Sequence, residues 1–307
     1  MIDPAFYFSQ HSLADFVACP RRFYLRHIAH QAWPLIESAP WGMDALTYRD
    51  YLRKGALLHQ WIERYWLGVG SPEESVPSSE SRVTTSSSGL GTDSSALKTR
   101  DPELSVWWAR FLAEDFSALP PQRLPELALV APLGDTRLYG RFDLLAFDDA
   151  PESAGRGDVV IVDWKTLRGE RAPSEAFLRQ RVQTRVYLYV LATAGAPYNG
   201  ARPLAPEQCV MRYWLANFPD QPWVEIRYSR ALYDADHAWL LGLAQDCARR
   251  AAPANAEDAF EKTSDERQCT YCTFRTLCRR SGALDGAEAP DEEARLIDLS
   301  DAQELDY

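Results

Sequence analysis

VVIVDWKT, residues 159 to 166, decides how this chain is read. Four apolar residues run directly into Asp163, Trp164 and Lys165, the pattern of a buried strand that ends in charge. Side chains alternate along a strand, so Asp163 and Lys165 share one face and Trp164 takes the other. A carboxylate and an ammonium so placed can hold a divalent cation and attend its bound water. An ordinary ion pair at a strand end is the competing reading of these two residues alone.

Upstream, Gly140-Arg141-Phe142-Asp143-Leu144-Leu145 puts a second carboxylate inside an otherwise apolar strand. An isolated buried aspartate is costly unless it is paired or bound to metal. A hairpin brings Asp143 and Asp163 onto neighbouring strands, and a divalent cation offsets their repulsion. Oxygen ligands favour Mg²⁺ or Mn²⁺ over zinc. His59 stands among leucines in KGALLHQWIERYW, where a histidine satisfied within the core is the simpler reading. Glu126 enters the first strand of the hairpin as a further possible acid, although a surface residue is the simpler reading. Gln183 and Tyr187 lie one turn apart on a helix, hence on one face.

The surrounding segments give a mixed α/β order. Residues 9 to 31 form helix with a break at Cys19-Pro20 and an N-cap expected at Ser12, and residues 43 to 68 form a long amphipathic helix. Residues 102 to 120 are expected to be helical. Three strands follow, ELALVAPL, TRLYGRFDLLAF and DVVIVDWKT, the first two joined by a turn at Gly134-Asp135. A helix over 174 to 194, a second hairpin (CVMRYWLAN and PWVEIRYS) and a helix over 231 to 252 complete the core. Residues 71 to 101 are dominated by Ser, Thr, Pro and Gly and read as a flexible insertion.

With 307 residues and 46% hydrophobic content, the chain can bury a large core. No run of about eighteen apolar residues exists, so no membrane span is expected. The start MIDPAFYFSQ lacks the marks of a signal peptide, which points to the cytoplasm. The net charge of −11 is misleading, because residues 283 to 307 hold nine acids against Arg295. That acidic tail carries −8 and leaves −3 for the rest, among which basic clusters survive. A nucleic-acid ligand is therefore not excluded by overall charge. Arg21, Arg22, Arg181 and Arg185 are candidates for phosphate contacts.

Six cysteines in a cytoplasmic setting argue against a disulfide framework. Cys209 and Cys247 sit in apolar-periodic segments and read as core thiols. Cys269, Cys272 and Cys278 form C-x2-C-x5-C, and Cys19 stands 250 residues upstream. Clustered thiols point to bound metal, and four thiolates suit either zinc or an iron–sulfur cluster.

Taken in order, Gly55-x3-His59, GRFDLL, DWKT and Gln183-x3-Tyr187 resemble the RecB-like branch of the PD-(D/E)XK nuclease superfamily. The resemblance spans roughly residues 10 to 70 and 122 to 282. It implies an α/β, restriction-endonuclease-like core: a small mixed central sheet flanked by helices, with a Cys-rich segment docked on the N-terminal helix. It implies that Asp143 and Asp163 hold Mg²⁺ or Mn²⁺, with the backbone carbonyl of Trp164 and the His59 ring as further ligands. Lys165 then orients and activates the attacking water, and Gln183 and Tyr187 help position the DNA strand. Thr166-Leu167-Arg168-Gly169 departs from the family's frequent T-G, which bears on the substrate loop.

One cysteine before these motifs and C-x2-C-x5-C after them resemble the iron–sulfur nucleases, which include AddB-type nuclease domains and CRISPR-adaptation exonucleases. That resemblance implies a structural [4Fe–4S] cluster on Cys19, Cys269, Cys272 and Cys278. The expected organisation is one nuclease domain over 1–282, containing the 71–101 insertion, followed by the 283–307 tail. The expected activity is metal-dependent exonucleolytic cleavage of single-stranded DNA or DNA ends, in DNA repair or CRISPR adaptation, beside a helicase or integrase subunit. The alternative is a non-catalytic DNA-binding iron–sulfur subunit of a helicase–nuclease complex.

Overall fold

The computed structural model describes residues 6–32, 45–69, 101–150, 157–252, 256–269 and 272–280. The 71–101 insertion, apart from Asp101, and the 283–307 tail lie outside the described residues.

A short strand, β1 (Phe8–Ser9), leads into α1 (Gln10–Ala18) and α2 (Pro20–Phe23), which continues as a π-helical turn to Ile28. The cap of α1 is Ser9, three residues earlier than expected. The Ser9 hydroxyl accepts from Ser12 N–H at 3.2 Å and Ser12 Oγ accepts from Ser9 N–H at 2.9 Å. This reciprocal box satisfies two otherwise orphaned donors. Cys19 is extended between α1 and α2, as a residue preceding proline prefers, and Pro20 opens α2 where no N–H is needed.

After α3 (Ala45–Trp66) and α4 (Pro102–Ala113) come the hairpin strands β2 (Gln122–Leu133) and β3 (Thr136–Phe147). Their two-residue turn is Gly134-Asp135, with Gly134 at φ 56°, a left-handed conformation that glycine adopts without a Cβ clash. β4 (Val159–Lys165) follows, then α5 (Glu175–Gln180), α6 (Val182–Ala194), β5 (Cys209–Leu215), β6 (Trp223–Arg227), α7 (Arg230–Ala251) and α8 (Ala256–Ala259).

The expected single helix over 174 to 194 is two. Arg181 is extended (ψ 141°), and the Leu178 carbonyl accepts both the Arg181 N–H and the Thr184 hydroxyl across the break. The break re-aims the chain, so Gln183 stands in the first turn of a new helix.

The sheet runs β1-β3-β4-β5-β6, with β2 on the hairpin edge of β3. It is mixed: β4 and β5 are parallel, joined across α5 and α6, whereas β2–β3, β3–β4 and β5–β6 are antiparallel. β4 is buried on both faces along its whole length, which is why its sequence does not alternate. On one face α1, α6 and α7 pack over Ile161, with Leu13, Phe16, Val186, Tyr187 and Leu240 in the core. On the other, α3 and α4 bring Leu58, Trp61, Trp107 and Phe111 against Val160, Val162, Trp164 and Trp214. Cys209 and Cys247 are fully buried core thiols, and burial pushes both well above the ordinary thiol range. Among the described residues no helix is long and apolar enough to cross a membrane.

Candidate active site

The functional candidates meet where β3 and β4 part. The β3–β4 pairing ends at Leu144 and Val162, which sets Asp143 and Asp163 just beyond it on the two neighbouring strands. There the backbone ladder gives way to a side chain: Trp164 N–H donates to Asp143 Oδ2 at 2.9 Å. Trp164 itself points to the opposite face and is buried under α4, fixing the strand end by packing. Its backbone is thus held between the two charged side chains.

Asp163 and Lys165 are both enclosed, 2% and 0% exposed, with Nζ 2.9 Å from Asp163 Oδ2. An ammonium without solvent requires a partner of opposite charge, and Asp163 is that partner. Gln183 Nε2 donates to Asp163 Oδ1 at 2.8 Å, so the carboxylate is held from two sides. The Tyr213 ring lies beside Lys165, and its hydroxyl is 2.7 Å from Thr184 Oγ1.

His59 is delivered by α3. Its Nδ1 lies 3.4 Å from Asp143 Oδ2. Burial works against a charged ring, yet the Asp143 carboxylate outweighs it and holds the imidazole above its ordinary value. Conversely, burial alone would raise Asp143, but His59, Lys165 and the Trp164 N–H keep it below the usual carboxylate range. The placement of α3 depends on Gly55: a Cβ there would stand 3.2 Å from Thr166 Oγ1. The helix therefore approaches the loop after Lys165 at a distance that only glycine permits without adjustment. That loop is pinned: Tyr51 Oη donates to the Thr166 carbonyl, Asn217 Nδ2 donates to the Leu167 carbonyl at 3.0 Å, and Arg168 stacks on Tyr51 at 3.9 Å.

The structure adds one carboxylate that the sequence reading assigned to the surface. Pro125 pairs with Leu144 and Leu127 with Phe142, which sets Glu126 across from Asp143. Glu126, Asp143 and Asp163 therefore form a row over three adjacent strands. Glu126 is held at φ 52°, a conformation that L residues rarely adopt. Burial, then the Asp143 charge, pushes its carboxyl up to about 7, although Arg141 Nε lies 3.3 Å away. Register across a hairpin, not residue type, brings it here.

Gln183 and Tyr187, expected to help position the strand, are both buried. They are 5% and 3% exposed. Gln183 faces Asp163, and Tyr187 packs edge-on against Phe142 at 5.1 Å, in the space that Gly140 leaves by lacking a side chain. Arginine candidates are also engaged internally. Arg21 pairs with Glu257, Arg22 with Asp15, and Arg185 with Asp236 while stacking on Trp239.

Asp15 organises a second cluster that periodicity did not reveal. Arg22, Arg26 and His27 approach it at 2.7, 2.8 and 2.9 Å, with His11 beside them. Burial lowers His11 to about 4, whereas the surrounding cations hold Asp15 ionised against its burial. Two guanidinium groups already supply positive charge here, so this cluster ties α1 to α2 and is a poor host for a cation.

Cys19, Cys269, Cys272 and Cys278 line one cavity together with Arg22, Lys262, Arg275 and Arg280. Cys19 Sγ accepts from Thr263 N–H at 3.4 Å. Burial, then the neighbouring thiols, raises Cys269 and Cys278 above the ordinary range. Four convergent sulfurs suit a positively charged centre, which offsets the repulsion between thiolates.

At the divalent site the donor set is two carboxylates and an imidazole, the chemistry of Mg²⁺ or Mn²⁺. Gln183 Oε1, buried and without a hydrogen-bond partner among the described residues, fits an additional polar occupant.

A family model described as the PD-(D/E)XK nuclease superfamily matches residues 7–279. No curated protein shows a significant match. A crystal structure of SSO0001 is similar at 16% identity with a TM-score of 0.40, covering 91% of this chain and 88% of that one.

Proposed function

The chain belongs to the PD-(D/E)XK nuclease superfamily, and from that premise we propose that it is a Mg²⁺- or Mn²⁺-dependent deoxyribonuclease of the RecB-like branch. The observation that carries this reading is the cross-strand pair Asp143–Asp163 with Lys165 buried against Asp163. The residues assigned to the metal are Asp143, Asp163, His59 and the Trp164 carbonyl. A divalent ion bound there neutralises phosphoryl charge and lowers the pKa of a bound water. The chain's own residues do the rest. His59 and the Trp164 N–H fix Asp143, Gln183 fixes Asp163, and Lys165 is the cation that stabilises developing hydroxide. Burial strengthens each of these interactions relative to water.

The substrate in this reading is single-stranded DNA or DNA ends, cleaved exonucleolytically in DNA repair or CRISPR adaptation, with a helicase or integrase as partner. Cys19, Cys269, Cys272 and Cys278 hold a [4Fe–4S] cluster, and residues 1–282 are one nuclease domain that it closes. The acidic residues 283–307 lie outside that domain. Labelled single-stranded DNA incubated with Mg²⁺ or Mn²⁺ tests the activity. Wild type degrades it, EDTA stops it, and Asp163→Ala abolishes it. Equal degradation by Asp163→Ala refutes the assignment, and an inactive wild type that still binds DNA supports the non-catalytic alternative.

A further inference from the structure

Gln183 carries a hydrogen-bonding demand that its neighbours do not meet. Its amide is buried at 5% exposure, Nε2 donates to Asp163 Oδ1 at 2.8 Å, and Oε1 has no hydrogen-bond partner among the described residues. The amide cannot be reversed. An ionised carboxylate only accepts, so the NH₂ group must face Asp163 and the carbonyl oxygen is left over. An acceptor buried without a donor is destabilising and is retained only where something offsets it.

Direct contact with a DNA strand does not answer this demand, because a strand requires exposed surface and Gln183 has almost none. The Tyr213 hydroxyl is shared with Thr184, and Lys165 Nζ is drawn to Asp163 Oδ2 at 2.9 Å. What fits is a donor as small as water.

We infer that Gln183 Oε1 accepts a hydrogen bond from the hydrolytic water while Nε2 holds Asp163, so one amide ties the metal-binding carboxylate to the nucleophile. The inference rests on the hydrolytic reading above. In the step itself the water oxygen bonds to phosphorus and the P–O bond to the leaving sugar oxygen breaks. One water proton departs to solvent, and the leaving oxygen takes a proton from solvent. Gln183 orients the remaining O–H and neither gains nor loses a proton.

The test compares kcat, KM for labelled single-stranded DNA, and Mn²⁺ affinity by calorimetry in the full-length, cluster-loaded protein. Gln183→Met keeps the side-chain length and removes both polar atoms. Its kcat is expected to fall roughly 10²-fold, with KM unchanged and the loss persisting at saturating Mn²⁺. A raised KM with unchanged kcat overturns the inference in favour of a strand contact. Unchanged kcat overturns it too, as does full recovery at saturating Mn²⁺, which would reduce Gln183 to a support for Asp163. Gln183→Glu keeps the acceptor but sets it against Asp163, and serves if the Met variant does not fold. It is expected to need more Mn²⁺ yet approach wild-type kcat once saturated, and a kcat loss that saturation leaves in place counts against the inference. Asp163→Ala, run in parallel, separates the two levels: if it remains active, the hydrolytic reading itself fails.

Discussion

Lys165 has no solvent contact and Asp163 hardly any, so each depends on the other. Lys165→Met therefore strands a buried carboxylate and is expected to cost about 3–5 kcal/mol of metal-free stability. Added Mn²⁺ should recover part of that loss without restoring hydrolysis. Urea melts with and without Mn²⁺, paired with a DNA degradation assay, check both halves. Glu126 makes a different prediction. Its carboxyl is pushed up to about 7 by burial and then by Asp143. A group raised in the folded state contributes stability below its unfolded pKa and loses it as pH climbs through the folded value. Metal-free stability should thus decline between about pH 4.5 and 7 as Glu126 ionises. Glu126→Gln is expected to flatten that decline, by on the order of 2 kcal/mol at pH 8 after allowing for partial exposure. Denaturant midpoints at pH 5 and pH 8 measure it.

Elements matter here through where they end. β4 stops at Lys165, α6 begins just after the break at Arg181, and α3 passes close to Thr166 because residue 55 is glycine. Gly55→Val should push α3 away and withdraw His59 from Asp143, weakening Mn²⁺ binding by roughly tenfold or more. Calorimetry reads the affinity, and a near-wild-type melting curve shows that the fold survives. The strands, the turn at Gly134 and the long helices were legible in the sequence because periodicity and turn chemistry are local. The break at Arg181 was not, since it depends on Thr184 reaching back to the Leu178 carbonyl. Nor was the cap at Ser9, because Ser9 and Ser12 both carry capping side chains and only the backbone chooses between them.

At the scale of the molecule, the C-terminal cysteine segment returns to the first helices. Thr263 N–H bonds Cys19 Sγ and the Arg21 N–H bonds the Glu261 carbonyl. A cluster on the four cysteines would lock that return across nearly the whole chain. Wild type purified without oxygen should show broad visible absorption and bound iron. Cys272→Ser should lose the colour and melt roughly 10 °C or more lower. Colourless protein with stoichiometric zinc would replace the cluster with a zinc site.

Strand alternation set Asp163 and Lys165 on one face and thiol spacing grouped Cys269, Cys272 and Cys278, because both are one-dimensional facts; the superfamily, the role of Asp143 and the addition of Cys19 came from the resemblance in motif order. Three things required the folded chain. Glu126 joins the acidic row only through hairpin register. Gln183 turns inward to Asp163 only because the helix restarts at Val182, and most of the candidate arginines find carboxylates elsewhere in the fold. Each depends on which residue lies across from which, and neighbours in space are decided by packing, not by position along the chain.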